Sequence, residues 1–355
     1  MIIKAPLFGK NKTDERCFFM LNKNGENTIV FSNSPRIRGF ASVAGKTEGE
    51  GPLGKEFDVI FEDEYSGEDT FEQAESRLVE AAVETLLKKT DMPADEVDIL
   101  FAGDLLNQCA GSTFGAENFG IPHVGVYGAC STMALSLGLA AVFVDAGYAK
   151  NAVAVTSSHF CASERQFRLP LEYGGQRTGS AQWTVTGSGA VMVGRDCGNI
   201  EIKSATFGRI TDYNVTDVNN MGAAMAPAAA RTLCEFFEDT NTRPGDFDLI
   251  LTGDLGKVGS ELLLTLMKKE GRDISAVHSD CGLNIFYLED QDVNAGGSGC
   301  GCSASVLCSR ILRELSEKKY KNVLFCATGA LHSPVTVFQK KPIPAIAHAI
   351  WLSVK

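Results

Sequence analysis

The residue with the sharpest chemical signature is Cys130, in the string Gly128-Ala129-Cys130-Ser131-Thr132. A small-residue turn between a strand and a helix aims a thiol at the helix N-terminus. Free N–H groups and the helix dipole lower a thiol pKa there and make a nucleophile. The competing reading is a small apolar residue in a tight turn. A nucleophile needs a base, and the chain has five His. His159 follows the strand after Cys130, and His332 follows the matching strand of the second half. In a parallel sheet both fall on the carboxyl edge, where ligands bind, although each could equally be a hydrogen-bonded structural residue. Arg165 and Arg168 flank Phe167 in ERQFR (164–168), with EYGGQ (172–176) close behind. Guanidinium groups beside aromatic rings suit an aromatic dicarboxylate; a salt-bridged loop is the plain alternative. Asp104 and Asn107 in DLLNQ (104–108), together with Asp254, sit at strand ends on that edge as helix caps or polar ligands. Ser298 lies in the Gly-rich loop AGGSGCGCS (295–303). Such a loop can cradle an anion with backbone N–H groups, or simply let two backbones pass closely. TGSGAV (186–191) lacks the fuller glycine fingerprint of a dinucleotide site.

These residues must be positioned by alternating strands and helices. Thr70-Phe71-Glu72-Gln73 reads as a capping box. It opens a helix with apolar residues at Phe71, Ala74, Leu78, Ala82 and Leu86, ending near Lys89. Buried strands are expected at 97–102, 124–127 and 152–156, and a helix follows Thr132 through Leu135, Leu139 and Val142. This spacing implies βαβ units and a largely parallel sheet. The string DILFAGDL (98–105) recurs as DLILTGDL (248–255), and KNAVAVT (150–156) recurs as KNVLFCA (321–327). Two echoes in the same order indicate an internal duplication. The expected organisation is an irregular lead-in over 1–50, including a short strand at 28–31 and a loop at 45–54. A first α/β half over 51–200 and a second over 201–355 follow.

Composition sets the outer limits. The 355 residues are 44% hydrophobic and 22% charged, an ordinary globular balance. The net charge of −11 argues against a general nucleic-acid binder, and any anionic ligand needs a locally positive pocket. Eleven Cys form no spaced framework, so buried free thiols in a reducing compartment are expected. The pair Cys300 and Cys302 has no second pair to complete a zinc site, and neither metal nor cofactor is implied. No apolar run approaches the ~18 residues of a membrane span, and the first residues are too short in apolar length for a signal peptide.

The duplicated halves, the Cys130 turn and the Gly-rich second-half loop resemble the thiolase fold, a layered αβαβα architecture. A closer resemblance is carried by many strings in order. They include AGDLLNQ (102–108), GACST (128–132), TSSH (156–159), ERQFR (164–168), MGAAMAPAAA (221–230), DCGL (280–283), AGGSGCGCSA (295–304), ATGAL (327–331) and IPAIAH (343–348). Over about residues 50–350 the chain is similar to the stage V sporulation AD family. That resemblance implies a non-enzymatic component of the machinery that moves dipicolinic acid (pyridine-2,6-dicarboxylate, with calcium) into spores and releases it on germination. It further implies association with the spore inner membrane through the other stage V sporulation A membrane proteins, and a homodimer of the thiolase type. Ligand contacts are then expected from Cys130, His159, Arg165, Arg168, Asp104, Asn107, Ser298 and His332. The condensing enzymes of this fold pair their Cys with His–His or His–Asn from the second half. Here Asp254 and the Gly and Ser of 296–301 occupy those stretches, so Cys130 is expected to line a pocket without catalysing. The alternatives are a thiolase- or ketoacyl-synthase-like acyltransferase using Cys130, and a structural scaffold with a dead pocket.

Overall fold

The computed structural model describes residues 23–166, 176–196 and 198–355. In chain order the first half carries β1 (Lys23–Asn24), β2 (Thr28–Val30), β3 (Arg36–Ala44), α1 (Lys46–Gly49), β4 (Val59–Ile60), α2 (Phe71–Thr90), β5 (Ile99–Gly103), α3 (Ala110–Ala116), β6 (His123–Gly125), α4 (Thr132–Asp145), β7 (Asn151–Ser158), α5 (Phe160–Glu164), β8 (Trp183–Thr184) and β9 (Gly187–Gly194). The second half carries β10 (Ile200–Phe207), α6 (Met221–Thr240), β11 (Leu249–Thr252), α7 (Gly256–Lys269), β12 (His278–Asp280), α8 (Cys281–Asn284), β13 (Gly297–Ser298), α9 (Cys300–Val306), α10 (Leu312–Ser316), β14 (Asn322–Ala330), α11 (Pro334–Phe338) and β15 (Ala345–Val354).

The main sheet runs β12-β11-β14-β15-β10-β3-β9-β7-β5-β6. Read from either end, it repeats one pattern of five strands, and the two sets meet where Ile200 and Glu201 of β10 pair with Ile37 and Arg36 of β3. The two echoes are therefore equivalent strands: β5 pairs with β7 as β11 pairs with β14, both parallel. Their shared first residue has a shared task. Asp98 accepts from the N–H groups of Lys150 and Asn151, and Asp248 accepts from those of Lys321 and Asn322. The sheet is not purely parallel, because β9 and β15 run antiparallel to their neighbours.

Helices α2 and α3 cover the first set of strands, α6 and α7 cover the second, and α4 and α9 lie between the two sets. Three apolar clusters fill these interfaces, with the central one gathering Met133 and Leu137 of α4, Cys302 and Val306 of α9, and strand residues of both halves. Helix α4 is apolar all round because strands of both halves pack against it. The expected cap of α2 is present, Thr70 Oγ1 accepting from Gln73 N at 3.2 Å, and the helix ends one residue later than expected on Asp91 in the left-handed region.

Two stretches differ from expectation. Residues 36–44, inside the expected lead-in, form the long strand β3 between β9 and β10. Its alternation is broken by Gly39 at a register shift, which hid the strand from pattern reading. The expected loop at 45–54 contains α1, anchored by Gly45 N–H donating to Thr186 O and Thr186 N–H donating to Glu48 Oε1.

The two halves approach closely at Gly329 of β14, against the Cys130 turn. A Cβ there would lie 2.2 Å from Gly128 O and 3.3 Å from Cys130 N. Gly329→Ala should destabilise the fold by about 1–3 kcal/mol, read as a lower denaturation midpoint. Gly245→Ala, where a Cβ meets nothing within 4 Å, should be close to neutral.

Candidate functional site

The site is assembled from three turns. The first is 128–132, where Ala129 adopts φ 50° and Cys130 follows it at the head of α4. Ser131 Oγ donates to Gly128 O at 2.6 Å, Thr132 Oγ1 donates to Ala129 O at 2.6 Å, and Gly128 N–H donates back to Thr132 Oγ1 at 3.1 Å. These bonds fix the left-handed residue and hence the direction of the thiol. The second turn follows β11 and carries Asp254. The third is the Gly-rich loop, in which Gly296 and Gly299 adopt φ of 111° and 102°, a region that a side chain rarely enters.

Asp254 ties the turns together. Its buried carboxylate accepts from Ser298 Oγ at 3.0 Å, Gly299 N at 3.0 Å and Thr328 Oγ1 at 2.8 Å. The Cys130 sulfur stands 3.9 Å from Ser298 Oγ. From the first half, Gln182 donates its amide to Asp254 O at 2.6 Å and Gly297 O at 2.9 Å. Beside it β8 pairs with β13, setting Thr184 opposite Ser298.

This geometry reverses the expected electrostatics of Cys130. Burial raises its pKa well above the ordinary thiol value, and the neighbouring Asp254 charge pushes it further. The Ser298 and Gly299 donors oppose the shift without overcoming it. Burial also raises Asp254, against the lowering by its hydrogen-bond donors. The helix-start position is real, but a dry environment and an acid neighbour outweigh the dipole.

Above the thiol lies a cavity of about 400 Å³. Its walls include Asn107, Gln108, Tyr127, Cys130, Ser298 and His332. Among the described residues that line it, none is Asp, Glu, Lys or Arg. Burial lowers the His332 pKa to about 4, so the imidazole is neutral at neutral pH. Four of the eight expected contacts, Cys130, Asn107, Ser298 and His332, thus converge on one space. His159, Asp104 and Arg165 do not. His159 is buried as a cap of α5: its Nδ1 accepts from Ala162 N at 3.4 Å and its Nε2 lies 2.7 Å from Glu64 O. Asp104 accepts from the N–H groups of Leu106 and Ser112 at 2.7 and 2.6 Å, shaping the cavity wall from behind. Arg165 pairs with Glu72 at 3.4 Å and lies over the Phe71 ring, while the next residue, Gln166, lines the cavity. Arg168 lies outside the described residues. Tyr127, Gln182 and Thr328 were not singled out from the sequence. Tyr127 adjoins the Cys130 turn and Thr328 sits in a quoted string, but Gln182 carries no local signal.

The chain matches the sequence profile described as Stage V sporulation protein AD (SpoVAD) over residues 25–353. It belongs to that family. Stage V sporulation protein AD of Bacillus subtilis (strain 168) is 45% identical over 326 residues, covering 92% of this chain and 96% of the relative. A sporulation role follows from membership. Among solved structures, 3-oxoacyl-[acyl-carrier-protein] synthase III from Aquifex aeolicus VF5 covers 90% of this chain and 100% of its own, with TM-score 0.54 and 14% identity. A variant of OleA from Xanthomonas campestris gives TM-score 0.58 at 13% identity, covering 91% of this chain and 99% of its own. These likenesses establish the thiolase-like fold. Among the described residues no group of three or more His, Cys, Asp or Glu is placed to hold a metal ion, and no helix is long and apolar enough to cross a membrane.

The raised thiol pKa has a direct readout. Cys130 should alkylate with iodoacetamide at pH 7.5 at least about tenfold more slowly than in the denatured chain, with acceleration in Asp254→Asn. Peptide mass spectrometry measures both rates; fast labelling of the folded protein at neutral pH would restore an activated nucleophile.

Proposed function

We propose that this family member is a non-catalytic binding protein for dipicolinate within the spore's transport machinery, and that the cavity above Cys130 is where it binds. The observation that carries the reading is the cavity's chemistry: a protonated thiol, a neutral imidazole, three side-chain amides and a phenol ring around a space with no charged side chain among the described lining residues. This set offers hydrogen bonds and a ring face to a planar heteroaromatic acid. It offers no poised thiolate for acyl transfer. Pyridine-2,6-dicarboxylate is a dianion near neutral pH, and its calcium chelate at equal ratio is neutral. A lining without charge favours the chelate, whereas the free dianion needs a cation. Arg168 is the candidate for that role, two residues along the chain from Gln166 of the cavity wall. Arg165 is less suited, being engaged by Glu72.

The same reading puts the protein at the spore inner membrane, held there by the other stage V sporulation A membrane proteins. A homodimer through the first half is part of the proposal; the edge strand β6 is exposed at all three residues.

Isothermal titration with pyridine-2,6-dicarboxylate, with and without calcium, tests the ligand. Binding is expected at or below millimolar concentration, about tenfold weaker in Arg168→Ala for the free acid, as for one lost charge-assisted hydrogen bond, and less affected in Arg165→Ala. No heat under either condition would sink the proposal. Incubation with acyl-CoA should leave the intact mass unchanged. An acyl adduct absent from Cys130→Ala would favour an acyltransferase instead.

A further inference from the structure

The cavity wall over 105–109 is held from behind by a buried acid, Asp104, with a second buried acid, Glu75, beside it; the binding site uses neither. Asp104, at the end of β5, takes Leu106 N–H on Oδ1 and Ser112 N–H on Oδ2, so both ends of the wall segment hang on one carboxylate. Glu75, fully buried on α2, takes Ser157 Oγ on Oε1 at 3.2 Å and Ser163 Oγ on Oε2 at 3.5 Å. Gly111 sits between them: a Cβ there would lie 3.0 Å from Glu75 Cγ and 3.2 Å from Asp104 Cγ. The two acids are thus near neighbours with no room for a side chain between. The wall that Asp104 supports is strained, because Gln108 and Cys109 are consecutive left-handed residues, φ 58° and 54°, neither a glycine.

We propose that Glu75 holds a proton, donated to one of its two serine hydroxyls, beside an Asp104 ionised by its two backbone N–H donors, and that loss of this proton loosens the 105–112 segment and weakens ligand binding in the cavity. Two like charges in a dry site cannot both ionise without drawing in water or moving apart. The movable partner is the strained segment, since Glu75 is set in a twenty-residue helix. The other titratable groups facing the pair are Glu72 on α2, itself paired with Arg165, His123 on β6, Tyr127 before the Cys130 turn, and the thiols Cys109 and Cys300. Burial first, and then the Asp104 charge, raises the Glu75 pKa well above the carboxyl range; burial raises Asp104 too. The sign follows. An acid raised in the folded state is stabilising while protonated, and the order it maintains is lost as pH rises through the raised value.

The proposal rests on the dipicolinate reading for its ligand readout only. Binding of pyridine-2,6-dicarboxylate, fully ionised over the range, is titrated from pH 6.5 to 9, and amide exchange of 105–112 is followed in the ligand-free protein with correction for intrinsic rates. The wild type should bind about tenfold more weakly at pH 9, with faster corrected exchange at 105–112. Glu75→Gln should flatten both profiles, with the near-isosteric Glu75→Met as the second variant if the first fails to fold. An equal affinity loss in Glu75→Gln would assign the effect to another group, Asp254 first, and overturn the proposal, as would pH-independent corrected exchange. Absence of binding at every pH would sink the dipicolinate reading, while the exchange profile would still decide the acid pair.

Discussion

One buried carboxylate organises the site. Asp254 lies at the end of β11, and its oxygens collect Ser298 and Gly299 from the Gly-rich loop and Thr328 from β14, with the Cys130 turn alongside. An ionised group in the interior is tolerated only when its lone pairs are satisfied, because an unpaired buried charge costs several kcal/mol. The need to satisfy Asp254 therefore dictates the path of the surrounding chain. It explains why the loop must bend at Gly299, whose N–H meets the carboxylate, while Gln182 reaches across from the first half to satisfy the Asp254 backbone carbonyl. The same carboxylate sets the chemistry, since its charge helps keep the thiol protonated.

Duplication and divergence are both visible in the acids. Asp98 and Asp248 retain the same task at the same strand position, each closing a βαβ crossover with two backbone N–H bonds. Asp104 and Asp254 follow equivalent strands and differ in task. Asp104 holds its own following segment, whereas Asp254 reaches across to the loop and strand that face Cys130. The fold preserves the backbone equivalence, because strand pairing demands it. Side chains beyond the strand ends are released from that demand and can take new work.

For an acidic protein the cavity is unusually free of charge. Its described lining is polar and aromatic, with the nearest acids turned away into hydrogen bonds and ion pairs of their own. This isolates the space from the overall charge of −11. Local lining, more than the molecular sum, decides which ligand is tolerated, since distant exposed charges are screened over about 8–10 Å.

The sequence by itself determined the layered α/β fold, the repeated strand pattern, the α2 cap and the places of the Cys130 turn and the Gly-rich loop. These are local or periodic signals, written in contiguous residues, and the many family strings reinforce them. It did not reveal β3, whose alternation is interrupted at Gly39, or the role of Gln182, which has no neighbours in sequence to mark it. Nor could it rank the polar residues on the carboxyl edge. Asp104, His159 and Ser298 all read as candidate contacts, and only packing separated a wall support and a helix cap from a cavity residue. The sign of the Cys130 pKa shift was decided the same way. A helix start is visible in sequence, but burial and an acid 124 residues away in the chain are properties of the tertiary structure alone.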